Sequence, residues 1–261
     1  MLDALSPQRR RLVFVLGGLA LLLVLALVVT VVVRTRSGAD PVPQDVPGPV
    51  LLVPGYGGNG DSLQPLADAV RATGRVAVVV PPVGDGTGDL RVQAEHLATV
   101  AAQAMADSGA PSVDVIGYSA GGVVARVFVR DEGGAGVARR VLTLGSPQHG
   151  TSQAALGIEV AGDCPEACEQ LVPDSDLLRR LNAGDETPPG PLWITVRSTS
   201  DQVVTPVDSA VLDGALNLKI QDFCPRSTAG HGELPTDPVT LAAITSVLGV
   251  GTPAAPTDVA C

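Results

Sequence analysis

Apolar residues along this chain are arranged in three ways, and each predicts a different kind of element. The first is one long uninterrupted run. Leu12 to Val33 is 22 residues without a charge, bracketed by Arg9, Arg10 and Arg11 on one side and by Arg34 and Arg36 on the other. As a helix it would be about 33 Å long, enough to cross a bilayer core. It ends in Val33-Arg34-Thr35-Arg36, a poor cleavage site, and Ser37-Gly38-Ala39 is a weak one. An uncleaved transmembrane signal anchor over 12–33 is therefore expected, rather than a removed signal peptide. The arginine bias puts residues 1–11 in the cytoplasm and the rest of the chain outside it. Residues 34–49 follow with Pro41, Pro43, Pro47 and Pro49 and no apolar period. That composition predicts a semi-rigid, extended linker.

From residue 50 the two other patterns alternate. Continuous apolar runs predict buried strands at Val50 to Val53, Val76 to Val80, Val113 to Ile116, Val141 to Leu144, Leu192 to Ser198 and Leu216 to Ile220. Helical spacing predicts helices at Ser62 to Thr73, Leu90 to Asp107, Ala120 to Arg130 and Thr240 to Leu248, and a shorter one at Ser175 to Asn182. Strands without polar alternation, separated by helices, imply a mostly parallel sheet covered on both faces, in one domain over 50–261. Sites in such sheets form beyond the carboxyl ends of the strands.

At one such end the sequence reads Gly117-Tyr118-Ser119-Ala120-Gly121, between a strand and a helix. Glycines on either side let a serine stand on a tight strand-to-helix turn with its hydroxyl exposed, the nucleophile elbow of an α/β-hydrolase. A serine hydroxyl is a weak nucleophile. It needs a histidine base, and the base needs a carboxylate to fix its tautomer. In this fold the order is nucleophile, acid, histidine. Of His96, His149 and His231, only His231 leaves room for an acid-bearing strand after Ser119. His149 is expected to be structural, and His96 to lie on a helix. Asp201 sits just beyond the strand ending at Ser198 and is the preferred acid over Asp208 and Asp222. The oxyanion needs two preset backbone donors. The N–H of Ala120 is one, and the N–H of Tyr56, in Gly55-Tyr56-Gly57-Gly58, is the other. No Lys-Ser/Thr follows these glycines, so a phosphate loop is not expected.

Charge narrows the class of partner. Residues 1–36 hold five arginines and one aspartate, whereas the remainder holds 12 basic and 26 acidic residues. So acidic a domain is a poor nucleic-acid binder. All four cysteines lie beyond the apolar run, at Cys164, Cys168, Cys224 and Cys261. An even number in an extracytoplasmic domain suggests two disulfides with three possible pairings. Cys164 with Cys168 and Cys224 with Cys261 is favoured, and Cys-x3-Cys is poor zinc spacing, so no metal is expected. Six aromatic residues in the whole chain imply a mainly aliphatic acyl pocket.

Three stretches together carry a family resemblance. Val50-Leu51-Leu52-Val53-Pro54-Gly55-Tyr56-Gly57, Ser198-Thr199-Ser200-Asp201-Gln202-Val203-Val204, and Phe223-Cys224 through His231-Gly232 resemble the first strand with its oxyanion loop, the acid loop and the histidine loop of small bacterial triacylglycerol lipases. These belong to the α/β-hydrolase superfamily, and the same stretches are similar to the lipase B type. The resemblance implies Ser119, Asp201 and His231 as the catalytic triad and Tyr56 and Ala120 as the oxyanion hole. It also implies a disulfide from Cys224 to the C-terminal tail. The activity implied is that of a carboxylesterase or lipase on acyl-ester or lipid substrates, without a cofactor; the apolar run, which departs from the secreted lipases, makes it membrane-anchored and extracytoplasmic, and a monomer is expected. An acyltransferase on envelope lipids would use the same triad, and a non-catalytic binding domain could retain the scaffold. Leu156 to Pro191 is the candidate cap over the site.

Overall fold

Runs in which every residue is apolar are stable as strands only when both faces are covered. The computed structural model describes residues 8, 16, 18, 22–24, 42–58, 60–154, 164–257 and 259–261, and the predicted runs in it are such strands. They are β1 (Val50–Val53), β2 (Ala77–Val79), β3 (Val113–Tyr118), β4 (Ala138–Leu144), β5 (Leu192–Arg197) and β6 (Leu216–Lys219). Their order in the sheet is β2-β1-β3-β4-β5-β6, and every neighbouring pair is parallel. The first three helices are α1 (Gln64–Ala72), α2 (Leu90–Ser108) and α3 (Ala120–Asp131). After them come α4 (Glu166–Gln170), α5 (Asp176–Leu181), α6 (Ile220–Phe223) and α7 (Pro238–Val247).

Alternate strand residues feed two cores. Leu51, Val115 and Val141 pack with Leu97 of α2 and Val127 and Phe128 of α3. Leu52, Ile116, Leu142 and Ile194 pack with Leu66 of α1 and Ile244 of α7. The sheet is thus covered by helices on both faces, an α/β-hydrolase-like arrangement.

Several boundaries move for identifiable reasons. The strand expected from Val141 begins at Ala138, because the charges of Arg139 and Arg140 are met inside the protein by Asp114 and by backbone carbonyls. The helix expected from Thr240 begins at Pro238, where Asp237 caps it by accepting from the N–H of Val239 at 2.8 Å. The strand expected to end at Ile220 turns there into the short helix α6.

Residues 1–39 form a separate unit, with domain residues from 40 onward. Most of the apolar run 12–33 lies outside the described residues. Those described within it, 16, 18 and 22–24, are helical and exposed. Among the described residues no helix is long and apolar enough to cross a membrane. Residues 42–49, read from composition as part of a linker, lie against the domain instead. Val42, Gly48 and Pro49 are buried, and Arg139 Nη1 donates to the carbonyl of Gln44 at 2.9 Å.

Candidate active site

The site assembles where β3, β5 and the loop after β6 end on one edge of the sheet. Ser119 joins β3 to α3 with φ 53° and ψ −126°, a strained conformation for a residue with a Cβ. The turn closes only because its neighbours are small. A Cβ on Gly121 would stand 2.3 Å from the carbonyl oxygen of Val53 and 2.6 Å from that of Pro54. The start of α3 is therefore pressed against the end of β1, and with it the loop that follows β1.

The three residues expected from chain order come within hydrogen-bonding distance. Ser119 Oγ is 2.9 Å from His231 Nε2, and His231 Nδ1 is 2.7 Å from Asp201 Oδ2. Asp201 is buried, and its other oxygen accepts from the N–H groups of Val203 at 2.8 Å and Val204 at 2.9 Å. Both carboxylate oxygens are therefore fixed in direction. Thr151 braces the same loop, its hydroxyl donating to the carbonyl of Val203 at 2.6 Å. His231 opens a 3₁₀ turn, His231–Thr236, whose entry is held by the Glu233 carboxylate accepting from the N–H of Gly230 at 2.7 Å. Gly145, at φ 52°, leaves room for this pair. A Cβ there would lie 2.3 Å from Leu234 Cδ1 and 3.1 Å from Asp201 Oδ2.

Tyr118 was not singled out from the sequence, although it lies inside the pentapeptide. Its hydroxyl donates to the backbone carbonyl of His231 at 3.1 Å, and its ring centroid is 5.2 Å from that of the imidazole. Burial, reinforced by the charges of Asp201 and Glu233, pushes the phenol up to about 12, so it remains a donor at any physiological pH.

The loop after β1 crosses directly above Ser119. A Cβ on Gly55 would stand 3.0 Å from Ser119 Cβ and 3.5 Å from Oγ. The loop is tied down by Gly57 N–H donating to Gly86 O at 3.2 Å and Gly58 N–H to Gly55 O at 3.1 Å. Between these ties, the N–H of Tyr56 donates to no group among the described residues. Neither does the N–H of Ala120, at the first position of α3.

The residues set aside as alternatives are engaged elsewhere. His149 Nε2 is 2.7 Å from Glu186 Oε1, and its Nδ1 faces the carbonyl of Ser209. The Glu186 carboxyl is held below its usual range despite partial burial, by accepting from Asp213 N–H and from His149. Asp208 pairs with Arg197 at 3.2 Å and Asp222 with Lys219 at 2.8 Å, while His96 is half-buried on α2. Cysteines pair as favoured, Cys164 with Cys168 and Cys224 with Cys261. Of the candidate cap, residues 156–163 lie outside the described ones. The remainder contains α4 and α5, and α5 is fastened to α3 by Arg126, which donates to Leu181 O at 2.9 Å and Asn182 Oδ1 at 2.8 Å.

Comparison with known proteins bears on this geometry. The family described as Lipase (class 2) matches residues 101–241, more than half of the chain. No curated protein sequence matches it. Among solved structures it is similar to Aspergillus fumigatus lipase B, with TM-score 0.68 and 20% identity over 77% of this chain and 52% of that one. This chain thus spans about half the length of that enzyme. The mature form of Bacillus licheniformis lipase BlEst2 is similar at TM-score 0.64 and 16% identity, over 81% of this chain and 95% of that one. The lin2722 product of Listeria innocua is similar at TM-score 0.53 and 13% identity, over 77% of this chain and 91% of that one. At these identities the structural likenesses speak to the fold.

Proposed function

The chain belongs to the class 2 lipase family, and we propose that it is a serine ester hydrolase in which Ser119, His231 and Asp201 carry the chemistry. The observation that supports this most directly is the continuous relay from Ser119 Oγ through His231 to a buried, doubly held Asp201. Ser119 Oγ attacks the ester carbonyl carbon while His231 Nε2 takes its proton. Asp201 holds Nδ1–H, which sets the tautomer and offsets the imidazolium charge. The carbonyl electrons move onto oxygen, and that oxyanion accepts from the N–H groups of Tyr56 and Ala120, two donors left without an internal partner. Collapse breaks the bond to the alcohol oxygen, which leaves with the proton from His231 Nε2 and gives an acyl-Ser119. Water, deprotonated by His231, attacks that ester. The second collapse releases the carboxylic acid and returns the proton to Ser119.

We further propose that the apolar run 12–33 anchors the enzyme in a membrane with the domain on the extracytoplasmic side. Its 22 uncharged residues and the two disulfides of the domain support this reading. One experiment tests both parts. The full chain, prepared with its membranes and washed with alkaline carbonate, is assayed on short- and medium-chain nitrophenyl esters beside Ser119→Ala. The expected result is membrane-retained hydrolysis, with kcat lower by about 10⁴-fold or more in the variant. Comparable rates in the two proteins would remove Ser119 from the mechanism, and activity released into the wash would remove the anchor.

A further inference from the structure

Asp201 and His231 reach the site on two separate loops, one leaving β5 and the other 30 residues further on, after α6. The 2.7 Å between Asp201 Oδ2 and His231 Nδ1 therefore depends on what spaces those loops. One hydroxyl spans them. Ser198, the first residue past β5, is fully buried, and its Oγ donates to the carbonyl of Ala229 at 2.6 Å. The same oxygen accepts from the N–H of Ser200 at 3.1 Å and from Gln221 Nε2 at 2.9 Å. A serine hydroxyl has one proton to give and two lone pairs to receive with, so its whole capacity is engaged. Ser200 directly precedes Asp201, and Ala229 lies two residues before His231.

Gln221, half-buried on α6, is committed to the same two loops. Its Oε1 accepts from the N–H of Thr199 at 3.0 Å, and its Nε2 donates to Ser198 Oγ and to the carbonyl of Ser227 at 3.2 Å. Among the described residues, neither Ser198 Oγ nor the Gln221 amide bonds to Ser119 or to the side chains of Asp201 and His231. Their effect on the chemistry must therefore pass through where they hold the backbone. Loss of the Ser198 hydroxyl would leave the Ala229 carbonyl, the Ser200 N–H and one Gln221 amide proton in need of new partners. Nothing would then hold the acid loop to the histidine loop at that point.

We propose that Ser198 and Gln221 are positioning residues for this site, which together set the spacing of the acid and histidine loops and act on turnover through the Asp201–His231 contact alone. This rests on the catalytic reading above and extends it from the reacting groups to what spaces them.

The test is a double-mutant cycle. The full chain, Ser198→Ala, Asp201→Asn and the combined variant are assayed on nitrophenyl butyrate, with Ser119→Ala as the blank, at a temperature where circular dichroism shows each to be folded. In Ser198→Ala kcat should fall by about tenfold or more with KM within about twofold, since a misplacement of about 1 Å can cost about 100-fold. In the Asp201→Asn background, where the acid no longer sets the tautomer, the same change should lower kcat by less than about twofold, because residues that act as a unit are not additive. Gln221→Met should give the same pattern with a loss of about threefold or more in the wild-type background, and it decides by the same criterion where Ser198→Ala does not fold. Equal losses in both backgrounds, an unchanged kcat, or an effect confined to KM overturns the positioning role and leaves the triad intact. Absence of any Ser119-dependent turnover by the folded wild-type protein overturns both.

Discussion

Tyr118 occupies the first variable position of the Gly-x-Ser-x-Gly pentapeptide, and its phenol reaches a backbone 113 residues further along the chain. The same five residues that place Ser119 thereby also hold His231, since the hydroxyl grips the carbonyl of His231 and the ring lies beside the imidazole. Replacement by phenylalanine keeps the ring and removes only the grip. A neutral hydrogen bond of this kind contributes about 1 kcal/mol, so Tyr118→Phe should lower kcat by about fivefold. KM should change little, because the lost contact orients His231, the proposed base, and touches no substrate. A raised KM with unchanged kcat would instead assign Tyr118 to substrate binding. That Ser119, His231 and Asp201 come together could be read from the sequence because chain order and strand ends constrain them with little reference to packing. Tyr118 and Gly145 could not be found that way. Their roles are contacts with His231, Asp201 and Leu234 across the site, and no local pattern encodes a long-range approach.

At the scale of elements, α3 shows what apolar patterning conveys and what it hides. Its sequence is so apolar that a buried helix was readable, and all of Ala120 to Val129 is buried. Arg126 interrupts that pattern and would ordinarily mark a solvated face, yet it is 2% exposed. Burial pulls its guanidinium down to about 10, with the Glu186 charge opposing, so it stays charged at neutral pH. Its N–H groups reach the Leu181 carbonyl at the end of α5, where the helix dipole is negative, and the Asn182 side-chain oxygen beside it, and Arg130 donates to the same Leu181 carbonyl at 2.7 Å. Arg126 is therefore the fastener between the elbow helix and the remaining part of the candidate cap. Arg126→Leu should destabilise the domain by about 2–4 kcal/mol, read as a lower urea midpoint, because it strands buried acceptors. Arg130→Leu, at the exposed rim, should cost less than half as much. Equal losses would show that the buried position confers nothing special. The β4 boundary was missed for a related reason. Arg139 and Arg140 break the apolar run, and the partners that neutralise them lie on other elements.

Those partners tie the whole domain together below the sheet, on the side away from Ser119. Asp114, buried near the start of β3, receives Arg139 Nε at 3.0 Å and Arg75 Nη2 at 2.7 Å. Arg139 also donates to the carbonyls of Gln44, Leu248 and Gly249, while Arg140 donates to those of Val247 and Gly251. Burial and the Arg139 charge pull Arg140 down to about 10, against the attraction of Asp114. A single carboxylate thus pairs with two arginines, Arg75 and Arg139, and Arg139 and Arg140 carry the cluster on to the lead-in at 42–49 and the carbonyl end of α7. Proline content suggested a free tether over 34–49. What fixes its last residues is backbone packing, since a Cβ on Gly48 would lie 1.7 Å from the carbonyl oxygen of Ser112, and composition carries no trace of such an approach. The consequence for stability is specific. Asp114→Asn preserves shape but leaves the fully buried Arg139 without a counter-charge, so it should cost about 3–5 kcal/mol. Exposed ion pairs are screened by salt, whereas this one is buried, so the loss should be nearly the same at low salt and at about 0.5 M salt. Because the cluster lies at the opposite end of β3 from Ser119, the variant that remains folded at low temperature should keep the wild-type kcat. Denaturant midpoints at the two salt concentrations, with kcat measured well below the melting transition, decide the matter. A loss that disappears in salt would place Asp114 in an exposed pair, and a fall in kcat without loss of stability would couple the base of the sheet to the site.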